Sequence, residues 1–478
     1  MPLKLLEQLI HHGTTRGDAI AYIAPNGESM SYRQLLASVG ATAELLREST
    51  PRDAVVIASG RNEANYAAAF LTVLAAGRRL MAVSAELTDS EIISVTEQTG
   101  ACAFIAGCKA HASIEHSGLT IYILDDLVQP GEIKDNFASE SDASQLLLQS
   151  SGTTSRPKIV QRSGPSLDIV GINTANHVGF RDDDTVLAVV PLSHSYGMEH
   201  GILAPVIAGS TVQLCNGMDL ATISDLLSNI SILPGVPVIY EALARSDSPL
   251  PIPRIAYSAG APMPIEVNQS LSDRGLHIGQ LYGATEIGSV TYQPARDQPL
   301  SPGDIGPGFD GVDIRILDIN EPSIESPLPT GEVGQVAIRA TSMMDRYLDD
   351  DTSSLIDGFF LTGDLGKIDE HGALQLTGRL KLLIDVGGRK VNPLEIEDVL
   401  MQHPAVDQCV VVGVPVLKTV CRIKAVVVAS ADVSTTDLQQ FAKQRLAPYK
   451  TPRQFEIRDS LPRTSAGKVA RQAQELLT

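Results

Sequence analysis

Apolar residues come in short runs through the first half of the chain, at 54–59, 80–84, 102–106, 121–124, 146–149, 186–190 and 212–214. Runs this short, rich in β-branched and aliphatic residues, predict buried strands. Between several of them lie stretches with apolar positions at helical spacing, at 32–47, 61–76 and 88–98. Alternating strand and helix patterns predict parallel sheets covered by helices, an α/β fold. The first ten residues carry Glu7 inside an apolar stretch and read as a short amphipathic helix, not a signal peptide.

From about Val312 the pattern changes. Strand-like segments at 312–317, 333–338 and 374–377 are separated by turn pairs such as Asp357-Gly358 and His371-Gly372. This predicts an antiparallel sheet or a small β-barrel-like subdomain. A Gly-rich, charged segment follows Gly378 and leads into a helix starting near Pro393-Leu394-Glu395, with strands at 409–412 and 425–428. The sequence therefore divides into a large domain, 1–378, and a small α+β domain, 379–478.

A length of 478 residues suits two or three packed units. The net charge of -19 and the absence of Trp argue against nucleic acid or an anionic membrane as partner. Any phosphate-bearing ligand must be held by local donors. Five cysteines, an odd number with none at CxxC spacing, argue against a disulfide framework or structural zinc site and fit a reducing, cytoplasmic setting. No apolar run reaches the roughly 20 residues of a membrane span.

Four segments carry candidate chemistry. Ser150-Ser151-Gly152-Thr153-Thr154-Ser155-Arg156-Pro157-Lys158 follows an apolar strand, where backbone N–H groups and hydroxyls can surround a phosphate. It is not a GxxxxGK[ST] loop, and composition alone leaves an ordinary Ser/Thr-rich turn equally open. Tyr282-Gly283-Ala284-Thr285-Glu286 offers a hydroxyl for a phosphate oxygen and a carboxylate for a hard cation, or else only a solvated helix start. Thr362-Gly363-Asp364 with Gly378-Arg379 could hold a ribose diol or could be a hairpin turn. Near the end stands Arg463-Thr464-Ser465-Ala466-Gly467-Lys468, by itself an ordinary basic tail.

The order, spacing and wording of this set resemble the adenylate-forming superfamily, which includes acyl- and aryl-CoA synthetases, peptide-synthetase adenylation domains and beetle luciferases. The resemblance runs from about residue 30 to 470 and is closest to stand-alone acyl or aryl acid ligases. It implies doubly wound mixed sheets in the large domain, the barrel-like subdomain and a mobile C-terminal domain with its hinge near Lys381. It also implies ATP and Mg2+, and an acyl-adenylate passed to a thiol. By resemblance, residues 150–158, including Ser150, Ser151, Gly152, Thr153, Thr154 and Lys158, steady the β and γ phosphates. Gly260 and Ala261 line the adenine, and Tyr282 lies against it beside Gly283. Asp364 and Arg379 hold the ribose, Thr285 an α-phosphate oxygen and Glu286 the Mg2+. Lys468 bridges the carboxylate and the α-phosphate. After domain rotation, Gly387 and Gly388 enter the site for the thiol step. Two positions depart from the family pattern. Ser155 stands where Gly is usual and carries strain if φ is positive there. Asp385 stands where a basic residue is common, which weakens an approach by anionic CoA.

The segment Pro191-Leu192-Ser193-His194-Ser195-Tyr196-Gly197-Met198 resembles the acyl and aryl version of the substrate-side motif. It lacks the Asp that pairs with an α-amino group. His194 could gate the pocket or touch the carboxylate, or simply cap a strand end. His194, Val236, Tyr240, Gly260, Gly283 and Gly288 are candidate pocket walls, the glycines hinting at space for a ring or chain. His194 and His200 do not fit HExxH, so a zinc site is rejected. The chain ends ten residues after Lys468 with no fused carrier domain. The acceptor is therefore expected in solution, as CoA or the phosphopantetheine of a separate carrier protein. Two alternatives stand beside this reading: transfer to an amine, giving an amide, and a nucleotide-binding scaffold without catalysis.

Overall fold

The computed structural model describes residues 3–106, 119–123, 141, 143–150, 158–216, 220–246, 249–348, 354–386, 389–417, 420–462 and 476. The chain divides into two compact units. The first holds residues 1–314, 338–360 and 372–374; the second holds 315–337, 361–371 and 375–478.

The first unit begins with the amphipathic helix Lys4–Thr15. Its strands are β1 (Ile20–Ile23), β2 (Ser29–Ser31), β3 (Val55–Gly60), β4 (Arg79–Ser84), β5 (Ala103–Ala106), β6 (Thr120–Ile123) and β7 (Gln145–Gln149). They continue with β8 (Ile159–Ser163), β9 (Thr185–Ala188), β10 (Thr211–Leu214), β11 (Ile232–Gly235), β12 (Ile255–Ser258), β13 (Gly279–Ala284), β14 (Gly288–Gln293) and β15 (Asp304–Gly306). Downstream come β16 (Val312–Leu317), β17 (Gly334–Ala340), β18 (Arg346–Tyr347), β19 (Leu355–Ile356), β20 (Phe359–Ile368) and β21 (Leu374–Arg379). The last, all in the second unit, are β22 (Ile384–Val386), β23 (Arg389–Val391), β24 (Val406–Leu417), β25 (Val420–Ala429) and β26 (Gln454–Arg458).

Two mixed sheets dominate the first unit, one ordered β18-β8-β7-β4-β3-β5-β6 and the other β14-β13-β12-β11-β9-β10-β1-β2. Side-chain alternation shows how they are layered. In β3, Val56 and Ala58 face one core while Val55 and Ile57 face another. The Val56 core also takes Tyr22, Val212 and Leu214 from the second sheet, so one helix layer serves both sheets. That layer includes helices Tyr32–Ser49 and Ala64–Ala75; the second of these buries ten residues, four of them Ala, so it is enclosed on all sides. The outer face of the first sheet is covered with Ile92 and Val95 from helix Asp89–Thr99. The outer face of the second is covered from helices Pro237–Arg245 and Ile265–Ser272. Each fully buried aliphatic side chain stabilises these layers by about 1.5–3 kcal/mol.

Local chemistry sets the boundaries. Ser31 with Gln34 and Thr88 with Glu91 form capping boxes that start the helices at 32 and 89. Gly100 ends the second of these in a left-handed conformation. The predicted turn Asp357-Gly358 is a two-residue hairpin loop with φ of 48° and 78°, pairing Ile356 with Phe359, as a type I′ turn requires.

In the second unit, residues of β16, β17, β20 and β21 lie together in one sheet. A separate three-stranded sheet orders β24-β25-β26, antiparallel then parallel. Helix Pro393–Met401 packs Ile396 and Leu400 against Val411, Ile423 and Ala425 of that sheet. This is the α+β unit expected at the C-terminal end.

Candidate active site

In the second sheet of the first unit, strands β9 through β13 run parallel, and four of the five, all but β10, are followed by a loop with a predicted site residue. His194 follows β9, Val236 follows β11, Gly260 and Ala261 follow β12, and Thr285 and Glu286 follow β13. The chain passes from β9 to β10 on one side and then to β11 on the other, so β9 marks a topological switch. β11 and β9 share only the pair Ile232–Val186, whereas β11 and β12 share four. The strands part towards their C-terminal ends, and Tyr196 Oη reaches across to donate to the Gly235 carbonyl at 3.1 Å.

The turn with Thr285 and Glu286 joins two antiparallel strands, β13 and β14, rather than starting a helix. A register shift between Tyr282 and Gly283 bends the hairpin. A Cβ at Gly283 would stand 2.4 Å from the Gly288 carbonyl oxygen. Gly288 has φ of 73°, and a Cβ there would meet Val170 Cγ2 at 2.8 Å and Arg162 Nη2 at 2.9 Å. These two positions need glycine because protein already fills the space a side chain would take. At Gly260, φ is 82° and the nearest atom to such a Cβ is Val236 Cγ1 at 4.0 Å. Tyr240 is fully buried, its hydroxyl placed 2.9 Å from the carbonyls of both Leu233 and Tyr257, so it braces β11 against β12 from within the core. His194 is exposed and caps the short helix Ser195–Met198, its Nδ1 accepting from Tyr196 N at 3.4 Å.

Lys158 and Glu286 are linked through a residue the sequence did not single out. Tyr347 Oη donates to Glu286 Oε1 at 3.0 Å, and Lys158 Nζ lies 4.8 Å from the centre of the Tyr347 ring. The 150–158 loop is closed at its neck by Ser150 N donating to the Lys158 carbonyl at 2.8 Å. Ser151, Gly152, Thr153, Thr154 and Ser155 lie outside the described residues, as do Gly387, Gly388, Lys468 and the side chain of Asp385.

Behind the hairpin lies a buried polar cluster, also unforeseen. Arg162 and Glu199 pair at 2.9 Å with almost no exposure. Ser289 donates to Glu199 through its backbone N at 2.9 Å and its hydroxyl at 2.7 Å. His200, next to Glu199, is fully enclosed, and burial pushes its pKa down to about 4. Arg162 is fully buried in β8, and such a charge demands a partner.

In the second unit, Gly363 turns left-handed at φ 72°, and the Thr362 hydroxyl accepts from Asp364 N at 3.0 Å. The Asp364 carboxylate is nearly buried and accepts from Arg379 Nε at 2.5 Å. Asn392 caps helix Pro393–Met401 and donates to the Thr377 carbonyl at 2.5 Å, packing on Gly378. Lys381 is exposed in the turn Leu380–Leu382. β22 and β23 pair antiparallel, Ile384 opposite Val391 and Val386 opposite Arg389.

Two large α/β sheets with site loops at one strand edge, and a small α+β sheet at the C-terminal end, are the architecture of an adenylate-forming enzyme. The chain belongs to the AMP-binding enzyme family: that family's model matches residues 9–348, and its C-terminal domain model matches 395–468. The crystal structure of ATP-bound MatB from Rhodopseudomonas palustris is similar over 100% of this chain and 98% of that one, with TM-score 0.88 and 25% identity. Feruloyl-CoA synthase of Amycolatopsis sp is 31% identical over 337 residues, 68% of each protein. Probable CoA ligase CCL8 of Humulus lupulus is 29% identical over 406 residues, 76% of this chain. The chain spans 65% of the length of that relative. No helix among the described residues is long and apolar enough to cross a membrane.

Proposed function

We propose that this protein activates an aryl or acyl carboxylic acid with ATP, releasing pyrophosphate, and then transfers the acyl group from the adenylate to a thiol. The observation that carries this reading is the meeting of Lys158, Tyr347 and Glu286 beside a loop edge formed by four parallel strands. Family membership and the CoA ligase names of the relatives support it, and they favour CoA as the acceptor. The phosphopantetheine of a carrier protein offers the same thiol chemistry.

In the first step the substrate carboxylate attacks the α-phosphorus, and the bond to the pyrophosphate oxygen breaks. Two anions must approach, so charge neutralisation is the main task. Lys468 is assigned to bridge the carboxylate and α-phosphate, and Thr285 to donate to an α-phosphate oxygen. Lys158 and the 150–158 loop steady the outer phosphates. Tyr282, Gly260 and Ala261 surround the adenine, and Asp364 accepts from the ribose hydroxyls while Arg379 holds its carboxylate. His194 stands at the acid side with Val236. Among the described residues no three acidic, His or Cys side chains gather to hold a metal. Mg2+ suits such a site, because it commonly takes one carboxylate and fills its shell with phosphate oxygens and water. Glu286 would supply that carboxylate, and the ion would offset phosphate charge. In the second step a thiolate attacks the acyl carbon and AMP leaves; rotation about Lys381 exchanges Lys468 for the segment with Gly387 and Gly388.

The test is acid-dependent pyrophosphate release from ATP and Mg2+ across aryl, acyl and amino acids, with and without CoA. Release that vanishes in Lys468→Ala, with thioester formation from a supplied adenylate retained, is the expected result. Stimulation by CoA identifies the acceptor. Folded, ATP-binding protein that releases no pyrophosphate with any acid of the panel overturns the reading in favour of a scaffold.

A further inference from the structure

We propose that the buried Arg162–Glu199 pair, with Ser289 and Ser342, is the positioning device of the reaction, holding the Thr285–Glu286 turn in register with the strand that leaves the phosphate-binding loop. The inference rests on the adenylation reading above.

The argument starts from what Glu199 accepts. Its Oε1 takes Arg162 Nη1 at 2.9 Å and Ser195 Oγ at 3.0 Å; its Oε2 takes Ser289 N at 2.9 Å and Ser289 Oγ at 2.7 Å. Both oxygens face only donors, so the position calls for an ionised carboxylate. A glutamine would turn its NH2 either on the Arg162 guanidinium or on the Ser289 N–H. Glu199 opens a one-turn π-helix, Glu199–Leu203, a widened turn of the kind that re-aims a side chain at functional sites.

The cluster grips the turn from two sides. Ser289, held by Glu199, is the second residue of β14. Arg162 Nη2 donates to the Ser342 carbonyl at 3.0 Å, and Ser342 Oγ donates to the Ile287 carbonyl at 2.8 Å. Two residues on, Met344 N donates to the Glu286 carbonyl itself at 2.6 Å. Arg162 stands on β8, four residues after Lys158. One ion pair thus connects the strand leaving the phosphate loop to the β14 side of the turn that carries Thr285 and Glu286.

A third arm reaches the strand before Gly260. Tyr257 Oη lies 2.6 Å from His200 Nδ1, and His200 Nε2 lies 3.3 Å from Ser289 Oγ. Glu199 can only accept, so the chain has one direction: Tyr257 donates to His200, His200 to Ser289, and Ser289 to Glu199. All of these side chains are buried, and they act through the turn.

The experiment compares Glu199→Gln, Ser289→Ala and Ser342→Ala with the wild type. Thermal unfolding and ATP binding are measured beside pyrophosphate release at varied Mg2+. Positioning predicts that protein folded at the assay temperature loses kcat about tenfold to hundredfold and needs more Mg2+ for half-maximal rate. ATP affinity changes less than threefold. The inference is overturned if the folded variants release pyrophosphate at the wild-type rate, or lose rate only in proportion to the folded fraction. If Glu199→Gln does not fold, the two serine variants decide the matter, since each keeps the ion pair. Wild-type protein that releases no pyrophosphate with any acid marks instead a failure of the adenylation reading, which the wild-type arm alone reports.

Discussion

Tyr347 Oη donates a hydrogen bond to Glu286 Oε1 at 3.0 Å, and so orients the carboxylate assigned to the metal. The phenol is 4% exposed, and the Lys158 ammonium lies over its ring, so one aromatic side chain sets both groups. Tyr347→Phe keeps the ring and removes only the hydroxyl. A hydrogen bond to a charged group contributes about 1.5–3 kcal/mol. We expect the Mg2+ concentration for half-maximal pyrophosphate release to rise about tenfold, with folding stability little changed.

Asp364 is held by Arg379, whose own side chain is largely exposed. Asp364→Asn keeps the shape and loses the charge that a ribose diol and the guanidinium both read. The expected result is a KM for ATP raised about tenfold or more, while the KM for the acid stays near its wild-type value. Arg379→Ala is expected to do less, because the carboxylate remains.

The glycines of the hairpin offer a stability test. Gly283→Ala places a Cβ 2.4 Å from a backbone oxygen, and Gly288→Ala adds a positive φ to two close side-chain contacts. Overpacking of this kind costs about 1–3 kcal/mol, and denaturant unfolding should show at least that loss in each. Gly260→Ala has the positive φ alone and open space beyond it, so it should cost about 1 kcal/mol.

Burial of His200 makes stability depend on pH in a defined direction. Its folded pKa of about 4 lies below the ordinary value of 6.5, so between these values the unfolded chain binds more protons. Stability from this group is therefore fully present above pH 6.5 and is lost as pH falls towards 4. The span corresponds to at most about 3 kcal/mol. Denaturant titrations of wild type and His200→Asn across that window should show the wild type losing more; parallel curves would contradict the assignment.

Much of this protein is legible in its sequence, because the signals are local. Strand runs, helical periodicity and turn pairs such as Asp357-Gly358 depend on neighbours within a few residues, and the observed elements fall where the pattern places them. The ordered motifs likewise identify the family, since each is a short string with its own chemistry. Contacts between distant residues leave no such trace. Tyr347 lies 61 residues from Glu286, Glu199 lies 37 from Arg162, and Ser289 lies 90 from Glu199. Nothing near Tyr347 in the chain marks it as the carboxylate's partner. Gly283 and Gly288 read as glycines that could mean space or closeness; only the approach of Arg162, Val170 and the facing strand shows that they mean closeness. Sequence alone thus determined the element types and the inventory of reactive groups, because local sterics and composition suffice for these. Tertiary structure alone decided which groups meet and what holds them, because that depends on strand order and packing across the sheets.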